Sequence, residues 1–230
     1  MPTTTCQRRV VLRREPHVNW DDDCVQFRLT YEGLLKGASA DKTRAAHKHD
    51  IRRVFHPQLK RLWANTRHLT AGGYGPLTTQ VIYINGQPAF PPPPPRVEQL
   101  ANRFVCNGYH FVPLVTEDLS LLCGIEILFL RPGLPGTLIS SGDIDNRLKT
   151  LFDALRVPTI AELSGVGDPL ADETPFFCLL EDDKLISHAS VETDTLLEPV
   201  SDQPDDNDAR VVITVKIRPY EVTIGNLSFA

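Results

Sequence analysis

The stretch Ser141-Gly142-Asp143-Ile144-Asp145-Asn146-Arg147-Leu148-Lys149-Thr150-Leu151-Phe152-Asp153-Ala154-Leu155 decides how the chain is read. Leu148, Leu151, Phe152 and Leu155 recur at spacings of three and four, which predicts a short amphipathic helix over 146–155 with Asp145 just ahead of it. Asp143 and Asp145 flank one residue, so in an extended approach to that helix their side chains point the same way. Two carboxylates held together repel, and a proton or a divalent cation relieves the repulsion. Hard oxygen donors of this kind suit Mg²⁺ or Mn²⁺. Lys149, one helical turn after Asp145, shares its face and can orient a phosphate or offset developing charge. Each residue alone has a plainer role, Asp145 as a helix cap and Asp143 as a turn residue.

Working outward, Leu119 to Leu130 is a near-continuous apolar run, as in a strand buried on both faces, and Arg131-Pro132-Gly133 ends it. Downstream, residues 156–180 are rich in glycine and proline and read as a long loop. Glu181-Asp182-Asp183 then precedes a strand candidate from Lys184 to Leu196; one of its aspartates, taken as Asp183, is a candidate third ligand. An acidic connector over 198–209 follows, expected to be mobile and to lie away from the 143–149 turn. Arg210 to Arg218 is the strongest strand signal in the chain.

At the other end, Cys24 to Tyr31 alternates apolar and polar side chains as a half-buried strand does. Ile51, Val54, Phe55, Leu59, Leu62 and Trp63 mark an amphipathic helix with its basic residues outward, Asp41 as its cap and a kink or restart at Pro57. His47, His49, His56 and His68 lack cysteines or carboxylates at ligand spacing and read as solvated or capping residues. From Leu69 to Pro113 periodicity fades, and Pro91 to Pro95 suggests a stiff connector, so 69–113 is taken as a proline-rich insertion. Within it Val81 to Ile84 fits a short strand and Val97 to Phe104 a helical turn or two. The fold class is α/β (α+β): one domain, 1–230, with a small mixed β-sheet and helices. Its core is about 24–68 and 119–218, enlarged by insertions.

Hydrophobic residues at 41% and charged residues at 23% are those of a folded globular chain. Five scattered cysteines, with no C-x-x-C pair, argue against a disulfide framework and for a cytoplasmic protein. No apolar run reaches the roughly 20 residues of a membrane span, so no membrane partner is expected. The net charge of −5 is unevenly spread: fourteen acidic residues and one basic residue lie between Glu162 and Asp208, leaving the remainder at +8. Nine basic residues fall between Lys36 and Arg67. Among them Lys48, Arg52, Arg53, Lys60 and Arg61 are the candidate contacts to a nucleic-acid backbone.

The string Asp143-Ile-Asp145-Asn146-Arg-Leu-Lys149 with Phe152-Asp153-Ala154-Leu155, and the later Asp182-Asp183-Lys-Leu-Ile186, resembles the RusA-type Holliday junction resolvases. Members of that family carry Asp-x-Asp-Asn, a lysine four residues after the second Asp, an Asp-Ala-Leu helix end and an Asp-Asp pair before a strand. The resemblance covers roughly 119–217. It implies a small α/β homodimer that cleaves branched DNA, with Mg²⁺ held by Asp143, Asp145 and Asp183 and with Lys149 assisting phosphodiester hydrolysis. The rival reading is a catalytically silent module of the same fold, whose acidic excess serves a protein partner.

Overall fold

The computed structural model describes residues 25–37, 43–66, 69, 82–84, 87–89, 94–133, 143–200, 202, 205–223, 225, 226 and 229, with 43, 82–84, 87–89 and 143 described by their backbone alone. Alternating apolar residues build the main sheet. Strand β1 (Val25–Leu34) pairs antiparallel with the last strand, Asp208–Pro219, and that strand pairs antiparallel with Leu121–Arg131, which pairs parallel with Ile186–Thr195. In chain order the remaining elements are α1 (Thr43–Asn65), β2 (Ile82–Ile84), β3 (Gln87–Ala89), α2 (Arg96–Arg103), β4 (Phe104–Cys106), β5 (Tyr109–Val115), β6 (Leu121–Arg131), α3 (Asp143–Leu155), β7 (Phe176–Leu180), β8 (Ile186–Thr195) and β9 (Asp208–Pro219). The four-stranded sheet has the order β1-β9-β6-β8, a second sheet has the order β4-β5-β7, and β2-β3 is a separate hairpin. Both larger sheets mix parallel and antiparallel pairs, giving an α+β fold.

One face of the four-stranded sheet supplies the core. Leu121, Cys123, Ile125, Ile127 and Phe129 of β6 and Val211, Ile213, Val215 and Ile217 of β9 are buried, in step with the two-residue period of a strand. Against them pack Ile51, Phe55, Leu59 and Trp63 of α1, four residues apart on one helical stripe, and Leu151, Ala154 and Leu155 of α3. All five residues of β7 are buried. A smaller cluster gathers Tyr109, Phe111, Leu163, Phe176 and Cys178. Among the described residues Cys106, Cys123 and Cys178 are free thiols, and no helix is long and apolar enough to cross a membrane.

Several expectations change. The helix α1 runs unbroken through Pro57; one lost backbone hydrogen bond is tolerated where Phe55 and Leu59 pack on either side of it. The expected cap Asp41 and His68 lie outside the described residues. The stretch 94–113, read as part of an insertion, is instead regular and belongs to the core, with β5 at the centre of the second sheet. Its Pro113 disguised it, since proline rarely sits inside a sheet. The ladder with β4 ends at Phe104↔Phe111, so at Pro113 the strand has β7 as its one neighbour and one side of its backbone needs no ladder partner. The loop expected over 156–180 contains β7, whose five apolar residues follow Pro175. The two short elements expected inside the insertion are present as β2 and α2.

The outer edge of β1 is covered at one point by a side chain. Thr30 donates its N–H to Gln58 Oε1 at 2.9 Å and accepts from Gln58 Nε2 at 2.7 Å, so the amide of α1 stands where, among the described residues, β1 has no strand partner. Edge groups left unpaired invite association. Replacing Gln58 by Ala should cost about 1 kcal/mol by the ordinary net worth of such bonds, read by urea denaturation, and should make sedimentation behaviour depend on concentration.

His49 and His56 are core residues rather than solvated ones. His56 accepts from the Phe177 N–H through Nδ1 at 2.9 Å and uses Nε2 on the Asp172 carbonyl at 3.1 Å, which places its proton on Nε2. His49 lies between Tyr109 and Phe176, at 5.2 and 5.5 Å between ring centroids, and neither of its nitrogens has a hydrogen-bond partner among the described residues. Burial, then the charges of Arg53 and Arg52, push its pKa down to about 4 against a weaker opposing pull from Glu173. A base held neutral in this way contributes full stability above its unfolded pKa of about 6.5 and loses it as pH falls toward the folded value. Unfolding free energy should therefore decline between pH 6.5 and 4. His49→Phe, which keeps a ring in the slot, should flatten that decline by about one proton, about 1.4 kcal/mol per pH unit, in urea titrations across the range.

Candidate functional site

The helix α3 begins at Asp143, three residues earlier than the spacing predicted. The extended approach that aligned Asp143 with Asp145 is thus a helical turn, in which positions two apart are rotated by about 200°. The Asp143 side chain lies outside the described residues. Along the rest of the helix, burial follows the helical period. Arg147, Thr150, Leu151, Asp153, Ala154 and Leu155 turn inward, whereas Asp145, Asn146 and Lys149 are exposed. Asp145 and Lys149 therefore stand one turn apart on the open face, as their spacing predicted.

Arg147 fixes this end of the helix. Its guanidinium is buried, donating through Nη1 to the Leu35 carbonyl at the end of β1 and through Nη2 to Asn207 Oδ1 at 3.1 Å. Asn207 also accepts the Leu35 N–H on its carbonyl at 2.8 Å. The acidic connector, expected to lie away from α3, is thus bonded to it through its 205–208 end. The reason is local: the Asp205 carboxylate accepts both the N–H and the side-chain amide of Asn207 at 2.7 Å, and Asp208 accepts the Asp205 N–H at 3.0 Å. A self-bonded turn presents the amide oxygen that a buried guanidinium requires.

The second acidic turn leaves β7. Asp182 Oδ1 accepts the Lys184 N–H at 3.0 Å and caps a 3₁₀ turn over Asp183–Leu185. This commits Asp182 to the turn and leaves Asp183 as the exposed carboxylate. Lys184 pairs with Glu117. The turn packs on α3, but toward its C-terminal end: Asp183 is among the charges that raise the pKa of Arg156, after Glu162 and Asp153 and against the effect of burial. Arg156 lies about 16 Å along the helix axis from Asp145, at 1.5 Å per residue. Among the described residues no three His, Cys, Asp or Glu side chains gather at metal-ligand spacing. The donor chemistry itself fits a hard divalent cation, since Asp145 and Asp183 are exposed carboxylates.

The basic helix is the largest departure. Of its five expected contact residues, Lys48 and Arg52 point into the protein, and Arg53, still partly exposed, is tied to the buried Glu173. Lys48 Nζ meets Asp153 at 2.6 Å and Glu162 at 3.3 Å; Arg156 meets the same two carboxylates at 3.0 and 3.1 Å. Arg52, 1% exposed, donates to the Asp153 carbonyl at 2.6 Å and lies 3.6 Å from Glu162. Arg53 donates to Glu173 at 2.6 Å. These charges are consumed by internal carboxylates and are not an outward face. Burial raises the Asp153 pKa, but Lys48 and Arg156 outweigh it and hold the group below its ordinary value. Lys60, which donates to the Asp172 carbonyl at 2.9 Å, and Arg61 are the exposed members.

Sequence reasoning missed Asp153, Glu162 and Glu173 as partners, and Arg147 and Asn207 as the tie between β1, α3 and β9. Only the Thr159-x-x-Glu162 spacing gave a signal, for a capping box: Thr159 donates its N–H to Glu162 at 2.9 Å. No family model, curated protein or solved structure matches this chain.

Removing one member of a buried ion group strands the others. Asp153→Ala should cost about 3 kcal/mol of unfolding free energy, whereas Lys60→Ala and Arg61→Ala should each stay within about 0.5 kcal/mol; chemical denaturation distinguishes these outcomes.

Proposed function

We propose that the chain is a Mg²⁺-dependent, structure-selective endonuclease that resolves four-way junctions or related branched DNA, in the manner of the RusA-type enzymes it resembles. The observation that carries this reading is the opening of α3, where Asp145 and Lys149 stand exposed one turn apart within the Asp-x-Asp-Asn motif. The Asp183 turn, packed on the same helix, adds a further free carboxylate.

Asp145 would hold the cation, which would supply the charge that ionises water and steadies the phosphate oxygens. The resemblance implies Asp143 and Asp183 as its further ligands, and Asp183, standing toward the far end of α3, would reach the ion only by movement of its turn. Lys149 offsets the charge that builds on the phosphate as the bond to the attacking oxygen forms. Asn146 is exposed beside these groups, and the exposed Lys60 and Arg61 would serve the backbone of a duplex arm. A two-fold dimer would present two such faces to two opposing strands. A second reading, a silent module that binds a protein partner, draws support from the internal pairing of Lys48, Arg52 and Arg53 and from the net charge of −5.

Purified protein incubated with a labelled four-way junction, linear duplex and single strand should cleave the junction with Mg²⁺ or Mn²⁺ and none of the three with chelator. Asp145→Asn and Lys149→Ala should each lower the rate by at least about 100-fold, in line with the loss of a charge-stabilising group, with melting temperatures near wild type. Mg²⁺ should raise the melting temperature of the wild type and not of Asp145→Asn. Intact cleavage in Asp145→Asn would sink the site, and no cleavage of any substrate by the wild type would favour the silent module.

A further inference from the structure

The corner where α1 and α3 open carries more cationic groups than the packing uses. The loop of residues 35–37 is bonded to both helices. Leu35 accepts from Arg147 of α3, the Lys36 N–H donates to His47 Nε2 at 3.3 Å, and Arg44 Nη2 donates to the Gly37 carbonyl at 3.4 Å. Farther along, Lys48 of α1 meets Asp153 of α3. One turn back from that contact lie Arg44 on α1 and Lys149 on α3, Lys149 rotated out to the open face of its helix. Lys36 and Lys149 are exposed and Arg44 is half-buried. Each helix also directs partial positive charge toward its N-terminal end.

An anion already faces this corner. The exposed Asp205 carboxylate is held below its ordinary pKa by the hydrogen bonds from Asn207 and then by the charges of Lys36 and Arg147. It belongs to the turn that Arg147 grips through Asn207.

We propose that Lys36, Arg44 and Lys149, around the openings of α1 and α3, bind a backbone phosphate of the nucleic acid, and that Asp205 competes with that phosphate for the corner. The identity of the ligand rests on the nuclease reading above; the existence of an anion site does not. The contact is sequence-independent, because phosphates carry no base information. It also relocates the backbone contacts from Lys48, Arg52 and Arg53 to the open end of the same helix.

Binding of a fluorescein-labelled junction and duplex is measured by anisotropy in chelator, over about 50–200 mM salt, the range in which phosphate contacts reveal themselves. Lys36→Gln/Arg44→Gln should weaken both complexes alike, by about tenfold or more, and reduce the log–log salt slope by nearly two. Arg103→Gln/Arg210→Gln, removing two charges elsewhere, should leave affinity within about twofold. Asp205→Asn, which keeps the oxygen that Asn207 uses, should tighten binding several-fold. Should Arg44→Gln not fold, Lys36→Gln alone carries half of the slope change. Affinity and slope equal to wild type in the Lys36/Arg44 variant would overturn the corner, and intact junction cleavage by that variant would leave the nuclease reading standing without it. A wild type that binds neither DNA overturns both the nuclease reading and the assigned ligand; inorganic phosphate raising its melting temperature, but not that of the variant, would then mark a site for free phosphate.

Discussion

A guanidinium buried at Arg52 is tolerable only because two carboxylates and a carbonyl meet it and its neighbours, and the rest of the molecule is arranged around that constraint. Lys48 and Arg52 come from α1, Asp153 and Arg156 from α3 and the residue after it, and Glu162 from the turn beyond. Breaking such a group leaves an uncompensated charge in a poorly polarisable interior, which costs far more than an exposed pair contributes. The two helices are therefore locked in azimuth as well as in distance. Hydrophobic contacts alone would fix their separation and leave their rotation loose. The locked rotation turns Asp145 and Lys149 to water and Arg147 toward Leu35.

The same pairing explains the lopsided charge of the chain. The acidic excess between Glu162 and Asp208 and the basic excess between Lys36 and Arg67 look, on paper, like two opposed surfaces. Glu162 and Glu173 from the one meet Lys48, Arg52 and Arg53 from the other. Much of the basic half of the segregation is thus complementarity within one fold, while the acidic half stays largely on the outside, where Asp168, Asp172, Asp183, Glu192, Asp194 and Glu198 are all exposed. Among the described residues the exposed cations without a carboxylate partner are Arg28, Lys36, Lys60, Arg61 and Lys149, while Arg103 and Lys184 pair with Asp118 and Glu117.

How much was legible in the sequence varies with the kind of signal. Strands β1, β6, β8 and β9 announced themselves through alternation or an unbroken apolar run, and α1 and α3 through their three-and-four spacing. The open face of α3 followed from the same periodicity, and with it the exposure of Asp145 and Lys149. Strands β5 and β7 were missed because a run of five to seven apolar residues beside prolines has no period to read. The inward turn of Lys48, Arg52 and Arg53 was equally invisible, since it depends on carboxylates about a hundred positions away along the chain. Local pattern reports which face of a helix is apolar. It does not report which charged face meets a partner.

The strand β9 lies between β1 and β6, so the first strand of the described fold closes against the last one. During synthesis β1 leaves the ribosome long before its neighbour exists, and chains that depend on such distant pairings fold slowly. Until then β6 can pair with β8 but keeps its other edge bare, a template for any extended segment nearby. Completion of the main sheet is thus a C-terminal event. A nascent or truncated chain lacking 208–219 would expose two strand edges at once and should be a client for chaperones rather than a smaller version of the same protein.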